Sequence, residues 1–230
     1  MRTPKALFFD VFGTCVDWRT TVIRSGAAYG LPPAYADDWR GRYQPQLETV
    51  RRGARPWTIL DVLHREALDA VLADHGVDLP AAARDELNLV WHRLDPWPDA
   101  VPGLTRLKER CVVAPVSNGN IALLVDMAKH AGLPWDAILG AELARAYKPE
   151  PAVYLRSVEA LGLRRGEAMM VAAHNDDLVA ASALGLLTAF VPRPTEHGPD
   201  QTTDLEPEAD YDVVAADFPA LADALTAPNP

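Results

Sequence analysis

Ala6-Leu7-Phe8-Phe9-Asp10-Val11-Phe12-Gly13-Thr14 decides the fold. Four apolar residues run into a carboxylate, and the chain then turns through a glycine. An apolar run closed by a turn reads as a buried strand of an α/β sheet. Ligands of such sheets bind outside the carboxyl ends of the strands. Asp10 therefore stands at an edge where a carboxylate meets a substrate. Gly13 permits the tight turn, and Thr14 offers a hydroxyl to the same place. Taken alone, the pattern also fits an aspartate that merely caps a turn.

Three later segments repeat the arrangement. Val112-Val113-Ala114-Pro115-Val116 runs into Ser117-Asn118-Gly119, Tyr147-Lys148-Pro149 holds a lysine just ahead of a helix start, and Ala168-Met169-Met170-Val171-Ala172-Ala173 runs into His174-Asn175-Asp176-Asp177. Between the first strand and these segments the pattern changes. Ile59, Val62, Leu63 and Ala67 share one helical face, and Leu87, Val90, Trp91 and Leu94 form another stripe. Asp95-Pro96-Trp97-Pro98 then breaks the chain. From Val101 onward helices near 103–110, 120–131, 151–162 and 177–185 alternate with strands near 112–117, 168–173 and 187–191. Such alternation predicts a parallel sheet with right-handed crossovers. The expected architecture is a doubly wound, Rossmann-like core of residues 1–16 and 98–230, with a helical cap domain at 17–97 inserted after the first strand. The stretch 192–209, rich in Pro, Thr, Asp and Glu, reads as a loop over the surface.

Composition narrows the class. The chain has 230 residues, 49% hydrophobic and 23% charged, which suits a folded domain with a sizeable core. No apolar run approaches the length of a membrane span, and Met1-Arg2-Thr3-Pro4-Lys5 leads straight into the strand and reads as no signal peptide. Two cysteines, Cys15 and Cys111, fit small core positions in a reducing cytoplasm better than a disulfide framework. A net charge of −10 argues against nucleic acid and anionic membranes as partners. An anionic substrate then needs a local positive site.

Aspartate, serine, lysine and acid at successive strand ends, in this order, resemble the haloacid dehalogenase superfamily over nearly the whole chain. The resemblance implies that Asp10 is a nucleophile, attacking carbon or phosphorus to form an ester that water cleaves. Two positions choose between these reactions. Superfamily phosphatases carry a second aspartate two residues after the nucleophile, and here that position is Phe12, which moves no proton. Phosphatases also hold Mg²⁺ with hard oxygen ligands. The first acid of their Val-Gly-Asp-x-x-x-Asp pattern falls on Ala173, only Asp177 matches the second, and Asp176 is left as a substitute. The expectation is therefore no cofactor, with Mg²⁺ required only if the chain is a phosphatase or phosphonate hydrolase after all.

With phosphate chemistry demoted, the chain resembles the type II (S)-2-haloacid dehalogenases. That resemblance implies a small anionic 2-haloacid as substrate, halide as product and a homodimeric state. Lys148 would orient Asp10, Ser117 would bond a carboxylate, Asn118 would face the departing halide, and Tyr154 would donate from behind. Arg40, or Arg42 as alternate, would supply the positive partner of the halide. Phe12 and Trp57 would line the pocket. Thr14 joins the catalytic group, and Asn175 joins the substrate contacts. Well-known members show Ser-x-Asn-x-Trp-Asp where this chain has Ala172-Ala173-His174-Asn175-Asp176-Asp177. His174 thus replaces an amide beside Asp177. It reads either as the base that activates the hydrolytic water, titrating near pH 6.5, or as a hydrogen-bond donor alone. Asp177 would orient Lys148 or the water.

Overall fold

The computed structural model describes residues 3–226; positions 1–2 and 227–230, the outer ends of the expected core domain, lie outside the described residues. Strand β1 (Ala6–Phe9) is followed by the short β2 (Val16–Asp17) and by five helices, α1 (Trp18–Ala27), α2 (Ala34–Gly41), α3 (Tyr43–Arg51), α4 (Leu60–Asp74) and α5 (Ala81–Asn88). A 3₁₀ turn at Leu89–His92 leads to β3 (Asp95–Pro96). Then follow α6 (Ala100–Lys108), β4 (Val112–Ser117), α7 (Ile121–Ala131), β5 (Leu139–Gly140), α8 (Ala141–Ala144), α9 (Pro151–Ala160), β6 (Ala168–Ala172), α10 (Asn175–Ala183), β7 (Leu187–Phe190), β8 (Val213–Val214) and α11 (Phe218–Thr226).

Six strands form one sheet in the order β5-β4-β1-β6-β7-β8, with every pairing parallel. The winding runs from β1 out to β5, crosses back to β6, and continues to β8. Its direction reverses between β1 and β6, where the crevice of a doubly wound sheet opens. Asp10 and His174 are the residues that follow these two strands closely, so the topology alone brings them together.

Strand alternation explains the two-sided core. Leu7 and Phe9 of β1 join a cluster with Leu104, Leu107, Leu123, Met127 and Phe218, whereas Ala6 and Phe8 join Val153, Tyr154, Val158 and Leu178 on the other face. Successive side chains of a strand point to opposite faces, so β1 must be apolar throughout to be covered by helices on both sides. The first cluster continues into the helical block through Trp39, Leu60, Leu63 and Trp91.

The helices inserted after β1 contribute no strand to the main sheet. β2 and β3 pair antiparallel, Val16 with Pro96 and Asp17 with Asp95, and so form a two-stranded ribbon where the chain leaves and re-enters the core. Trp97 clamps this ribbon, its indole donating to the Gly13 carbonyl at 2.8 Å.

Two expectations need correction. The apolar face of α4 is set by Leu60, Leu63, Ala67 and Leu68, and Val62 is 42% exposed; Ile59 precedes the helix, so the stripe is rotated from the one anticipated. The stretch 192–209 does contain irregular backbone, but it is not wholly a surface loop, because Arg193 and Glu196 are buried. Each buried charge has a partner, as burial demands. Arg193 makes a two-pronged contact with Asp99 at 2.7 and 2.9 Å, and Glu196 meets His174.

Candidate active site

The Asp10 amide donates to the Val171 carbonyl at 3.0 Å, which carries the ladder one step past β1 and fixes where the carboxylate emerges. The chain then turns at Gly13, whose φ is +87°. That conformation favours glycine, and space requires it too, since a Cβ there would lie 2.1–2.5 Å from the Glu196 carboxylate. The turn brings the Thr14 hydroxyl back to Asp10 Oδ2 at 2.9 Å, and the same hydroxyl accepts from the Ala173 amide at 3.0 Å. Thr14 thereby ties the end of β1 to the end of β6.

Lys148 reaches the same carboxylate from the other side. Its Nζ donates to Asp10 Oδ1 at 2.8 Å and to Asp177 Oδ2 at 2.6 Å. Tyr154, on α9, donates to Asp177 Oδ1 at 2.6 Å. Asn118 accepts from the Lys148 amide at 2.8 Å and donates to the Tyr43 hydroxyl at 2.9 Å, joining the core to α3. Ser117 is fully buried, and its hydroxyl accepts from the Gly119 amide at 3.2 Å, the role of a strand-end turn.

His174 lies between two carboxylates. Its Nδ1 is 3.2 Å from Asp10 Oδ2 and its Nε2 is 2.8 Å from Glu196 Oε2. The second oxygen of Glu196 accepts from the Trp18 indole at 2.9 Å. Glu196 has no motif around it in the sequence, where it sits in a stretch of loop composition. A glycine two places before Cys15 and a lone histidine at the opposite strand end were its only traces.

Above these groups is a cavity of about 840 Å³ whose wall includes Asp10, Phe12, Arg40, Tyr43, Asn118, Lys148, His174 and Asp177. Arg40 lies over the rings of Tyr43 and Trp18, 4.1 and 5.4 Å from their centroids, and its Nη1 is buried with no hydrogen-bond partner. An unpaired buried guanidinium donor is costly unless an anion completes it. Arg42 instead pairs with Asp74, so of the two candidate arginines only Arg40 faces the cavity. Arg51, also on the wall, donates to the Lys148 carbonyl.

Two expected substrate contacts are placed otherwise. Trp57 is off the cavity wall and packs on Tyr147, with ring centroids 4.8 Å apart; Tyr147 also donates to the Thr58 carbonyl at 2.6 Å, so this pair braces the helical block on the core. Asn175 reaches the wall, but its amide is consumed. It donates to Asp204 Oδ1 at 2.9 Å and to the Glu206 carbonyl at 3.1 Å, and accepts from the Tyr211 hydroxyl and the Glu208 amide, each at 2.9 Å. It tethers the closing loop.

Burial alone would raise the Asp10 carboxyl, but the charge of Lys148 and the contacts of His174 outweigh it and hold Asp10 well below the usual carboxylate range. Burial likewise works against the charged forms of Lys148 and His174. The Asp10 and Asp177 carboxylates overcome it for Lys148, and the Glu196 and Asp10 carboxylates for His174, so both stay above their ordinary values. Asp177 is pushed up by burial despite Lys148. The two carboxylates thus favour the charged form of the imidazole at 174 while Asp10 is ionised.

A divalent cation has no fitting donor set here. The side chains of Phe12 and Ala173 supply no oxygen, and the space between Asp10 and Asp177 holds the Lys148 ammonium. Among the described residues no group of three or more His, Cys, Asp or Glu side chains could hold a metal ion.

A parallel sheet whose first strand ends on a carboxylate, roofed by helices inserted just after it, defines a class of hydrolases, and the chain matches the haloacid dehalogenase-like hydrolase family over residues 4–185. The chain belongs to that family. It is 29% identical over 196 residues to (S)-2-haloacid dehalogenase 4A of Burkholderia cepacia, covering 82% of this chain and 83% of that one. It is 30% identical over 200 residues to the (S)-2-haloacid dehalogenase of Xanthobacter autotrophicus, covering 82% and 75%. Among solved structures, a defluorinating L-2-haloacid dehalogenase superposes with a TM-score of 0.95 at 50% identity, covering 98% of this chain and 96% of that one. A second L-2-haloacid dehalogenase gives a TM-score of 0.95 at 47% identity, over 97% and 100%.

Proposed function

We propose that the protein hydrolyses short (S)-2-haloalkanoic acids to (R)-2-hydroxy acids through an ester on Asp10. The observation that carries this reading is the setting of Asp10: a buried carboxylate with Lys148 on one oxygen and Thr14 and His174 on the other, facing a cavity that holds an unpaired arginine donor. In the first step a carboxylate oxygen attacks the halogen-bearing carbon from the face opposite the halogen, and configuration inverts. Arg40 and Asn118 receive the halide. In the second step water attacks the Asp10 carboxyl carbon and frees the hydroxy acid. Asp177 and Tyr154 hold Lys148 in place throughout. The relatives' activities support this substrate class, and the absence of acids at positions 12 and 173 weighs against the phosphatase alternative.

No cofactor is required in this scheme, because halide is already a stable leaving group. The core is assigned to residues 1–16 and 98–230 and the cap to 17–97, with the β2–β3 ribbon as the joint. Two free buried cysteines suit a cytoplasmic setting, and no described helix is long and apolar enough to cross a membrane. A homodimer belongs to the same reading.

Halide release from a panel of 2-haloacids, with and without EDTA, tests the substrate class; equal rates are expected in both. Asp10→Asn should abolish release, and one turnover in ¹⁸O water should place label in Asp10 and none in the hydroxy acid. Label in the first-turnover product would refute the ester, and phosphatase activity lost in EDTA would favour the rival.

A further inference from the structure

His174 presents both ring nitrogens to carboxylate oxygens, Nδ1 to Asp10 at 3.2 Å and Nε2 to Glu196 at 2.8 Å. Carboxylates only accept, and a neutral imidazole has a single N–H. Only the doubly protonated ring satisfies both contacts. Glu196 is built for this place. Its side chain is 2% exposed, its other oxygen takes the Trp18 indole N–H, and Gly13 leaves the room it occupies. Beyond it, His197 is 3.6 Å away with its side chain 43% exposed.

We propose that Glu196 makes His174 the proton store of the reaction: the Nδ1 proton leaves with the halide when Asp10 is alkylated, and is taken back from the water that hydrolyses the ester. This rests on the dehalogenation reading above and adds the order of events to it.

In alkylation an Asp10 oxygen forms a bond to the α-carbon while the carbon–halogen bond breaks and its electron pair departs with the halide. Asp10 loses its negative charge. His174 then faces one carboxylate instead of two, and its Nδ1–H points at a neutral ester. That proton departs to solvent, so the first half releases halide and one proton. Glu196 keeps the Nε2 proton in place, and Nδ1 becomes a base. In hydrolysis the water oxygen bonds to the Asp10 carboxyl carbon, one water proton goes to Nδ1, and the ester C–O bond breaks. The departing alkoxide takes the other water proton. Asp10 emerges as a carboxylate beside an imidazolium, the state that the two contacts of His174 call for.

The charges that face this pair bear on its pH dependence. Asp10 and Glu196 act directly on His174, with the effect of raising it. Lys148 acts on Asp10, Asp177 shares Lys148, and Arg40 and His197 act on Glu196. Glu196 is therefore a positioning residue: it touches no reacting atom and works through His174.

Rapid mixing of the enzyme with 2-chloropropionate in weak buffer, with a pH indicator and a parallel halide readout, tests the order. One proton per halide is expected in the first turnover, ahead of the hydroxy acid. A proton that appears only with the hydroxy acid would overturn the proposal. In His174→Asn, halide should appear without a proton, and the ester should accumulate because hydrolysis loses general-base assistance of about 10²–10⁴-fold; a full proton burst in that variant would also overturn it. Glu196→Gln should slow hydrolysis tenfold or more while the halide burst stays at one per site. A burst that falls in step with the slower turnover would mean a structural role only, and would refute the assignment of Glu196. If no 2-haloacid gives halide, the dehalogenase reading fails and this one with it; halide with a late proton sinks this one alone.

Discussion

Replacing Lys148 by methionine removes the charge from the centre of the site at little cost in volume. The Lys148 ammonium is held by Asp10 at 2.8 Å and Asp177 at 2.6 Å, and all three side chains are at most 10% exposed. Breaking a buried pair by removing one partner costs about 3–5 kcal/mol, because the remaining charge is left uncompensated. For a domain of this size each kcal/mol moves Tm by roughly 2–4 °C, so Lys148→Met should melt about 6–20 °C lower at pH 7. The deficit must also depend on pH. In the wild type Asp10 has a depressed carboxyl, so its stabilisation is present above its unfolded pKa and is lost only as pH falls through the lower folded value. Without Lys148 the two carboxylates repel and one of them shifts upward. The folded variant then binds a proton that the unfolded chain, with an aspartate pKa of about 3.9, does not bind at pH 5. Stability of the variant should therefore rise as pH drops from 7 to 5, recovering up to about 2.7 kcal/mol for one proton over two pH units. Urea denaturation at both pH values measures this. A deficit below about 1 kcal/mol at pH 7, or one that is the same at pH 5, would refute the view that Lys148 neutralises a buried acidic pair.

Two further outcomes follow from the site. Arg40→Ala should slow halide release by roughly 10²–10³-fold, the usual loss for one donor aimed at developing negative charge, whereas Arg42→Ala, whose partner Asp74 lies in solvent, should stay within about twofold; equal effects would mean that the wrong arginine has been placed on the cavity. The acid limb of kcat/KM should fall below the ordinary carboxylate range, about pH 4, since Asp10 stays ionised until pH drops through its depressed value; an inflection near pH 6.5 would show instead a free imidazole at 174.

The sequence by itself made the parallel sheet legible, together with several of the residues that stand at its strand ends. β1 had to be apolar on both faces and had to end on Asp10, and a strand buried on both sides announces itself as an unbroken run. Ser117 and the acidic cluster that ends at Asp177 were legible because each follows an apolar run, and Lys148 because it stands just ahead of a proline-started helix in register with the resemblance. Phe12 and Ala173 carried information by being unable to hold a proton or a cation. Tertiary structure decided what local pattern cannot encode. Arg40 lies in the last turn of α2 and Arg42 just past its end, and only the tertiary partners, Trp18 and Tyr43 for the first and Asp74 for the second, separate the one that enters the cavity from the one that leaves it. Trp57 and Asn175 had the right chemistry near the right elements, but their partners Tyr147 and Asp204 come from distant parts of the chain. Glu196 is the extreme case. It lies 22 residues beyond His174 in a stretch whose composition signals solvent, and it is buried because a histidine, an indole and the missing side chain of Gly13 make a place for it. A charge is stable inside a protein only where partners from elsewhere in the chain converge on it, and that convergence exists only once the chain has folded.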